Sequence, residues 1–261
     1  MTRLGAWGGY NEFLRGYLDR IAEPGTTITI GGITKVGGIA DQYRYLEHIE
    51  ALEVMENVQT AMRQGYDAFL IGNIADPGIQ ACKEIAEFPV LGLCETCCHV
   101  ACTMGANFAF VTLNDKFGSR VVENVRRYGL ESRFAGARSM RVERMRSLAD
   151  GYDNPVARAA IIDAFLVAAN QLVDDGAEVV IAAGGVAMAL LEMEGVHEVR
   201  KGVPILNGVA ALVKMGEAAV RIAALSGGAY TSKRLNYAPP GADQIDEIRS
   251  FYGDVYPTVK K

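Results

Sequence analysis

Short apolar runs ending in Gly, Asn or Thr recur along this chain, and each is followed by a stretch of helical period, the pattern of parallel βαβ units. The runs at 27–31, 68–72, 90–93, 108–112, 179–183 and 205–207 predict strands. The segments at 47–64, 78–85, 96–104, 116–128, 155–174 and 208–225 predict helices. The implied fold class is α/β, with one parallel sheet or two, covered on both faces. Residues 150–155, rich in turn formers, read as a loop ahead of the long helix.

One supersecondary unit occurs twice. A helix ending Arg63-Gln64-Gly65-Tyr66-Asp67 leads into Ala68-Phe69-Leu70-Ile71-Gly72-Asn73, then a Gly-containing turn, a helix and the strand Pro89-Val90-Leu91-Gly92. Later, Asp174-Asp175-Gly176-Ala177-Glu178 leads into Val179-Val180-Ile181-Ala182-Ala183-Gly184, a helix, and Pro204-Ile205-Leu206-Asn207. Ligands of parallel sheets settle beyond the carboxyl ends of strands, where helix N-termini point. If the two units face each other, Asn73 opposes Gly184, or Gly185 if the alignment slips by one. Two repeat-related groups then flank one small ligand, a layout suited to removing a proton from one face of a carbon and returning it on the other.

Composition narrows the class. The 261 residues, half of them hydrophobic, suffice for one large domain or two small ones. A net charge of -5 without long runs of one sign offers nothing to gather nucleic acid or an anionic membrane, so neither is an expected partner. No apolar run reads as long enough to span a bilayer, and residues 1–10 lack the apolar stretch of a targeting signal. Five cysteines, four of them between Cys94 and Cys102, suit a reduced compartment better than a disulfide scaffold. The expected location is cytoplasmic.

Several motifs in order resemble the Asp/Glu/hydantoin racemase family, in its hydantoin and allantoin racemase branch. They are Gly65-Tyr66-Asp67-Ala68 followed by Asp76-Pro77-Gly78, then Pro89-Val90-Leu91-Gly92-Leu93-Cys94-Glu95, and Phe108-Ala109-Phe110-Val111-Thr112. Residues 176–188 and Val203-Pro204-Ile205-Leu206-Asn207-Gly208-Val209 continue the likeness, which spans roughly 25–225. The resemblance implies two pseudo-symmetric parallel-sheet lobes with the site between them, here 1–112 plus 208–261 and 113–207. It also implies cofactor-independent racemisation or isomerisation of small carbon acids, with relatives that decarboxylate. In racemising members each lobe supplies a cysteine at a strand end, whose pKa of about 8.5 is tunable towards neutrality. Asn73 stands where the first cysteine would be, and Gly184 or Gly185 where the second would be. Neither Asn nor Gly exchanges a proton near pH 7, so the two-thiol mechanism is closed to this chain.

Other residues therefore become candidates. Glu95, at a helix start, and His99, one turn later on the same face, form the first-choice acid/base pair, with Asn73 as a hydrogen-bonding partner. Glu95 has a blander role in complementing the helix dipole, and His99 one as a core histidine. Amides around Gly184 and Gly185 suit a carboxylate or oxyanion. Asp76 most simply caps the helix that follows it, with Pro77 at its first position, while aiming that helix at the ligand. Thr112 ends a strand at a place where relatives use Thr hydroxyls and amides to hold a substrate carboxylate or carbonyl, and it is the favoured binding residue; Asn114 shares its turn, and Asp115 reads as a cap. Tyr10 either reaches the ligand or belongs to a loosely packed terminus. Lys35, in a Gly-rich loop over the site, offers a cation or is merely solvated.

The cluster Cys94, Cys97, Cys98, His99 and Cys102 starts with a Cys-x-x-Cys spacing but lacks a second pair downstream, so no metal is expected. Cys97 or Cys98 near a helix N-terminus is a possible low-pKa nucleophile, against core packing as the plainer reading. The basic stretch 138–146 reads as an exposed face or a subunit contact. The leading expectation is a cofactor-free enzyme acting on a small carboxylate, ureide or cyclic amide, and forming a homo-oligomer. The alternatives are a lyase or hydrolase using Glu95 and His99, and a catalytically silent binding protein.

Overall fold

A computed structural model describes residues 7–35, 37–38, 42–142, 144 and 146–257. Residues 1–6 of the N-terminal segment, and Glu143 in the basic stretch, lie outside that set. In chain order the elements are α1 (Gly8–Ile21), α2 (Arg44–Gln64), β1 (Phe69–Ile71), α3 (Ile79–Ile85), β2 (Val90–Gly92) and α4 (Leu93–Met104). Next come β3 (Phe108–Thr112), α5 (Asp115–Arg127), β4 (Phe134–Ser139), α6 (Ser147–Asp153), α7 (Pro155–Asp174) and β5 (Val179–Ala182). The chain continues with α8 (Gly185–Met193), β6 (Glu198–Arg200), β7 (Val203–Leu206), α9 (Gly208–Leu225) and α10 (Ala242–Tyr252).

The strands form two sheets. β1 and β2 pair in parallel, with Phe69 opposite Val90 and Ile71 opposite Gly92. The larger sheet runs β4-β3-β5-β7-β6, parallel except for β6 at the edge. The two copies of the repeat correspond: β1-α3-β2 leads into α4, and β5-α8-β7, with the edge strand β6 inserted between α8 and β7, leads into α9. The helices that end the two units pack on each other. Close approach there needs Gly208, whose missing Cβ leaves room for Cys97 Sγ and Met188.

The larger core covers both faces of the five-stranded sheet. Phe108 and Phe110 alternate with Ala109 on β3, and all three are inaccessible to solvent. Such rings stabilise by about 1.5–3 kcal/mol each on burial. A smaller core of Val54, Val58, Ile71, Ile79, Cys82 and Val90 binds α2 and α3 to the β1–β2 pair. α7 is long and apolar enough to cross a membrane by length and composition, contrary to the sequence reading. Its place is over β3, β4 and β5, where Phe165, Ala169 and Leu172 are buried.

Several sequence expectations change. Residues 27–31, whose alternating Thr and Ile suggested a strand, join no ladder, although they run along a cavity wall. β3, assigned with 1–112, hydrogen-bonds to β4 and β5, so it belongs to the larger sheet. Leu148 and Tyr152 bury one side of α6 where a loop was expected, and Asn154 caps α7 by accepting from Val156 N and Ala157 N.

Two buried contacts join the sheets' surroundings. Arg120 on α5 donates through both Nε and NH2 to the Glu47 carboxylate on α2, with each side chain 8 % exposed. Asn124, also on α5, donates to the carbonyls of Ile74 and Ala75 at 3.3 and 3.0 Å. α5 therefore holds the turn that follows β1.

Candidate functional site

A cavity of about 630 Å³ opens beyond the ends of β1 and β5. Asn73, Gly184 and Gly185 all line it, and so does Tyr10. The two strand ends are close: a Cβ on Gly185 would lie 3.8 Å from the Gly72 carbonyl oxygen. The wall continues along residues 25–32 and 66–74 and along α9, with Leu113 entering from the turn after β3 and Phe117 from α5. On its far edge β1 has no strand partner among the described residues, and Phe69, Leu70 and Ile71 line the cavity.

The Asn73 turn is built by local hydrogen bonds. Asn73 Oδ1 accepts from Ala75 N at 2.7 Å and its carbonyl accepts from Asp76 N at 3.0 Å. Asp76 takes a left-handed φ of 48°, costly for a residue with a Cβ and persisting because its carboxylate is held from three sides. Cys94 N donates to it at 3.0 Å, Glu95 N at 2.8 Å and the Tyr128 hydroxyl at 2.5 Å. Asp76 thus caps α4, eighteen positions downstream, and not α3, which starts at Ile79 after Gly78. The reason is steric as well as electrostatic. Gly92, at the α4 N-cap, has no side chain of its own, and a Cβ there would stand 2.5 Å from Asp76 Cγ. Burial pushes Asp76 up to about 7, against the pull of those donors. At 1 % exposure it does not line the cavity.

The other predicted residues fall elsewhere. Glu95 is ion-paired with Lys83 Nζ at 2.6 and 2.7 Å, and His99 is exposed, with Nδ1 3.0 Å from the Glu95 carbonyl. Neither lines the cavity, so the proposed acid/base pair is not brought to Asn73. Thr112 is buried, its hydroxyl donating to the carbonyls of Asn114 and Arg138 at 3.2 and 3.4 Å. Asn114, not Asp115, caps α5 by accepting from Phe117 N, and its amide donates to Gln42. Lys35 is exposed and ion-paired with Glu56, while Gly31, Gly32 and Gly38 of its loop do border the cavity.

Tyr10 is anchored. It is 6 % exposed and packs edge-on against Tyr152 with ring centroids 5.6 Å apart, which removes the loose-terminus reading. Cys94, Cys97 and Cys98 are fully buried; burial pushes the Cys97 thiol well up, opposite to the shift a nucleophile needs. Among the described residues no group of three or more His, Cys, Asp or Glu is placed to hold a metal.

Chemically, the described lining contains no Cys, His or Lys. Its one Arg, Arg221, is ion-paired with Glu23. Glu217 accepts from Glu23 N at 2.8 Å and pairs with Lys214 at 3.0 Å. It also lies eight residues along α9 from Val209, roughly 12 Å from the Gly185 end at 1.5 Å per residue. Near the strand ends the polar groups are an amide, a phenol and backbone. Sequence reasoning missed the positioning residues Asn124 and Tyr128, and the signal was faint: a glycine at position 92 ahead of an acidic first turn.

This arrangement, two βαβ units meeting at a shared cavity, matches a known family. The chain belongs to the Asp/Glu/Hydantoin racemase family, which matches residues 14–216. It is 28% identical over 206 residues to the hydantoin racemase of Pseudomonas sp. (strain NS671), covering 79% of this chain and 77% of the relative. With the hydantoin racemase of Rhizobium meliloti it shares 30% identity over 196 residues, 73% of this chain and 75% of the relative. The solved allantoin racemase from Pseudomonas fluorescens superposes with a TM-score of 0.73 at 26% identity, over 92% of this chain and 95% of that one. The allantoin racemase from Klebsiella pneumoniae gives 0.71 at 26% identity over 89% of each chain.

Proposed function

We propose that this chain is a cofactor-independent racemase-type enzyme that acts, without cysteines, on a small neutral cyclic amide or ureide. The reading rests on one observation: the repeat-related strand ends at Asn73 and at Gly184–Gly185 line a single cavity. The likeness to hydantoin and allantoin racemases supports the reaction class. The lining supports the substrate class, because amide, hydroxyl and backbone groups suit an uncharged ring, whereas a dicarboxylate wants an unpaired cation.

In this reading the ring lies between the strand ends. Asn73 hydrogen-bonds one amide edge of the ring. The uncapped amides at the start of α8 receive the carbonyl oxygen beside the reacting carbon. Loss of the α-proton puts negative charge on that oxygen, where a helix N-terminus stabilises it. The described lining near the strand ends carries no side chain that is a base at neutral pH, so in this reading the site's contribution is stabilisation of the oxyanion, and the α-proton exchanges with bulk solvent.

The test is proton exchange in D2O with 5-benzylhydantoin, allantoin and aspartate, followed by proton NMR and polarimetry. Deuterium entry at the α-carbon with loss of optical activity, for the rings and not for aspartate, is the expected result. Tight binding of a ring without exchange would instead establish a silent binding protein, the second reading, which the thiol-free lining favours. Ring opening without exchange would point to a hydrolase, a reading that the placement of Glu95 and His99 does not support.

A further inference from the structure

Tyr10 presents a largely buried phenol at the cavity wall. Its ring sits on Tyr152, whose own hydroxyl donates to the Val186 carbonyl at 2.7 Å, so the ring position is set from the α8 side. Its hydroxyl has no hydrogen-bond partner among the described residues, although only 6 % of the residue is exposed. The oxygen opens on the cavity, so its hydrogen is available to an acceptor held there. The oxygen points at the second strand end, 3.1 Å from where a Cβ on Gly185 would sit, and it lines the cavity.

The same spot is the bare N-terminus of a nine-residue helix. No side chain caps α8. The Gly184 amide is used by Ala182 and the Met188 amide by Gly184, which leaves the amides of Gly185, Val186 and Ala187 without a backbone acceptor.

We propose that the Tyr10 hydroxyl and the first-turn amides of α8 together form the site for the ligand's carbonyl oxygen. Tyr10 thereby supplies, from α1, the side chain that the chain lacks at Gly184 and Gly185. This rests on the functional reading above and adds the group that grips the reacting end of the ring. Burial pushes the phenol up to about 12, so it stays protonated through neutral pH and donates its hydrogen; it is no base. A donor aimed at the oxygen of the developing enolate acts on turnover more than on ground-state binding. Gly185 is then required for space.

The test compares wild type, Tyr10→Phe, Gly185→Ala and the double variant for α-proton exchange with 5-benzylhydantoin, with thermal unfolding measured alongside. Tyr10→Phe is expected to lower kcat by about 100-fold or more, with KM and the unfolding midpoint little changed. Gly185→Ala is expected to lower kcat in the wild-type background and to add little to Tyr10→Phe, since its Cβ presses on the oxygen that the phenylalanine lacks. Full kcat in Tyr10→Phe, or a change confined to KM, overturns the proposal and leaves the functional reading standing. Absence of both exchange and binding in the wild type overturns that reading, and this proposal with it.

Discussion

Residue by residue, the site depends on groups that are absent as much as on those present. At Gly185 the missing side chain makes room for the Tyr10 oxygen, and at Gly92 it makes room for the Asp76 carboxylate. Gly92→Ala should therefore cost about 1–3 kcal/mol, read as a fall in the urea midpoint at unchanged slope, because the Cβ meets a carboxylate held by three donors. Asn73 holds its turn and, in the proposed function, also the ring, and both should fail in Asn73→Ala. The Ala75 amide loses its acceptor in a buried turn, destabilising by about 1–3 kcal/mol. Ring binding measured by titration calorimetry should weaken by tenfold or more, and unchanged affinity would remove Asn73 from the site. Tyr10 and Asn73 were visible in the sequence as candidates, but their partners were not. Nothing local to Asp76 announces that it caps a helix eighteen positions on, since a helix N-terminus is satisfied from wherever the fold brings an oxygen.

At the level of elements, α5 and α4 fix the Asn73–Asp76 turn, with Asp76 as the shared contact. Its pH dependence follows from the direction of the shift. Burial raises the folded-state value from 3.8 to about 7. The folded state thus holds a proton that the unfolded chain releases, and this contribution is fully present below pH 3.8 and lost as pH rises through about 7. Wild type should therefore lose stability between about pH 4 and 7 more steeply than Asp76→Asn, as read from urea midpoints across that window; parallel profiles would contradict the assignment. The strands at 90–92, 108–112 and 179–182 were legible because continuous apolar runs survive only where both faces of a sheet are covered. Residues 27–31 misled because alternation records a half-buried extended segment, and burial against a cavity wall produces it without any ladder. β4, with Gly136 at a φ of 141°, and β6, three residues long, carry too little pattern to be read from sequence.

Across the whole molecule, the repeat made the two-unit architecture readable, while its contents became clear only once the units were set face to face. The sequence grouped Glu95 and His99 with the site because they follow a strand end, yet α4 turns them away from the cavity. Arg120 and Glu47 tie α5 to α2 in a buried pair. Arg120→Ala leaves a buried carboxylate unpaired and should destabilise by about 3–5 kcal/mol in denaturant titrations. Exchange activity should fall with it if the ring is held between the units. The most direct measurement is a crystal structure with a 5-substituted hydantoin bound. The ring should lie between the Asn73 amide and the first turn of α8, with one carbonyl oxygen in hydrogen-bond reach of Tyr10. A ring bound beside Glu95 and His99, or any ring pose touching only one of the two strand ends, would contradict the account.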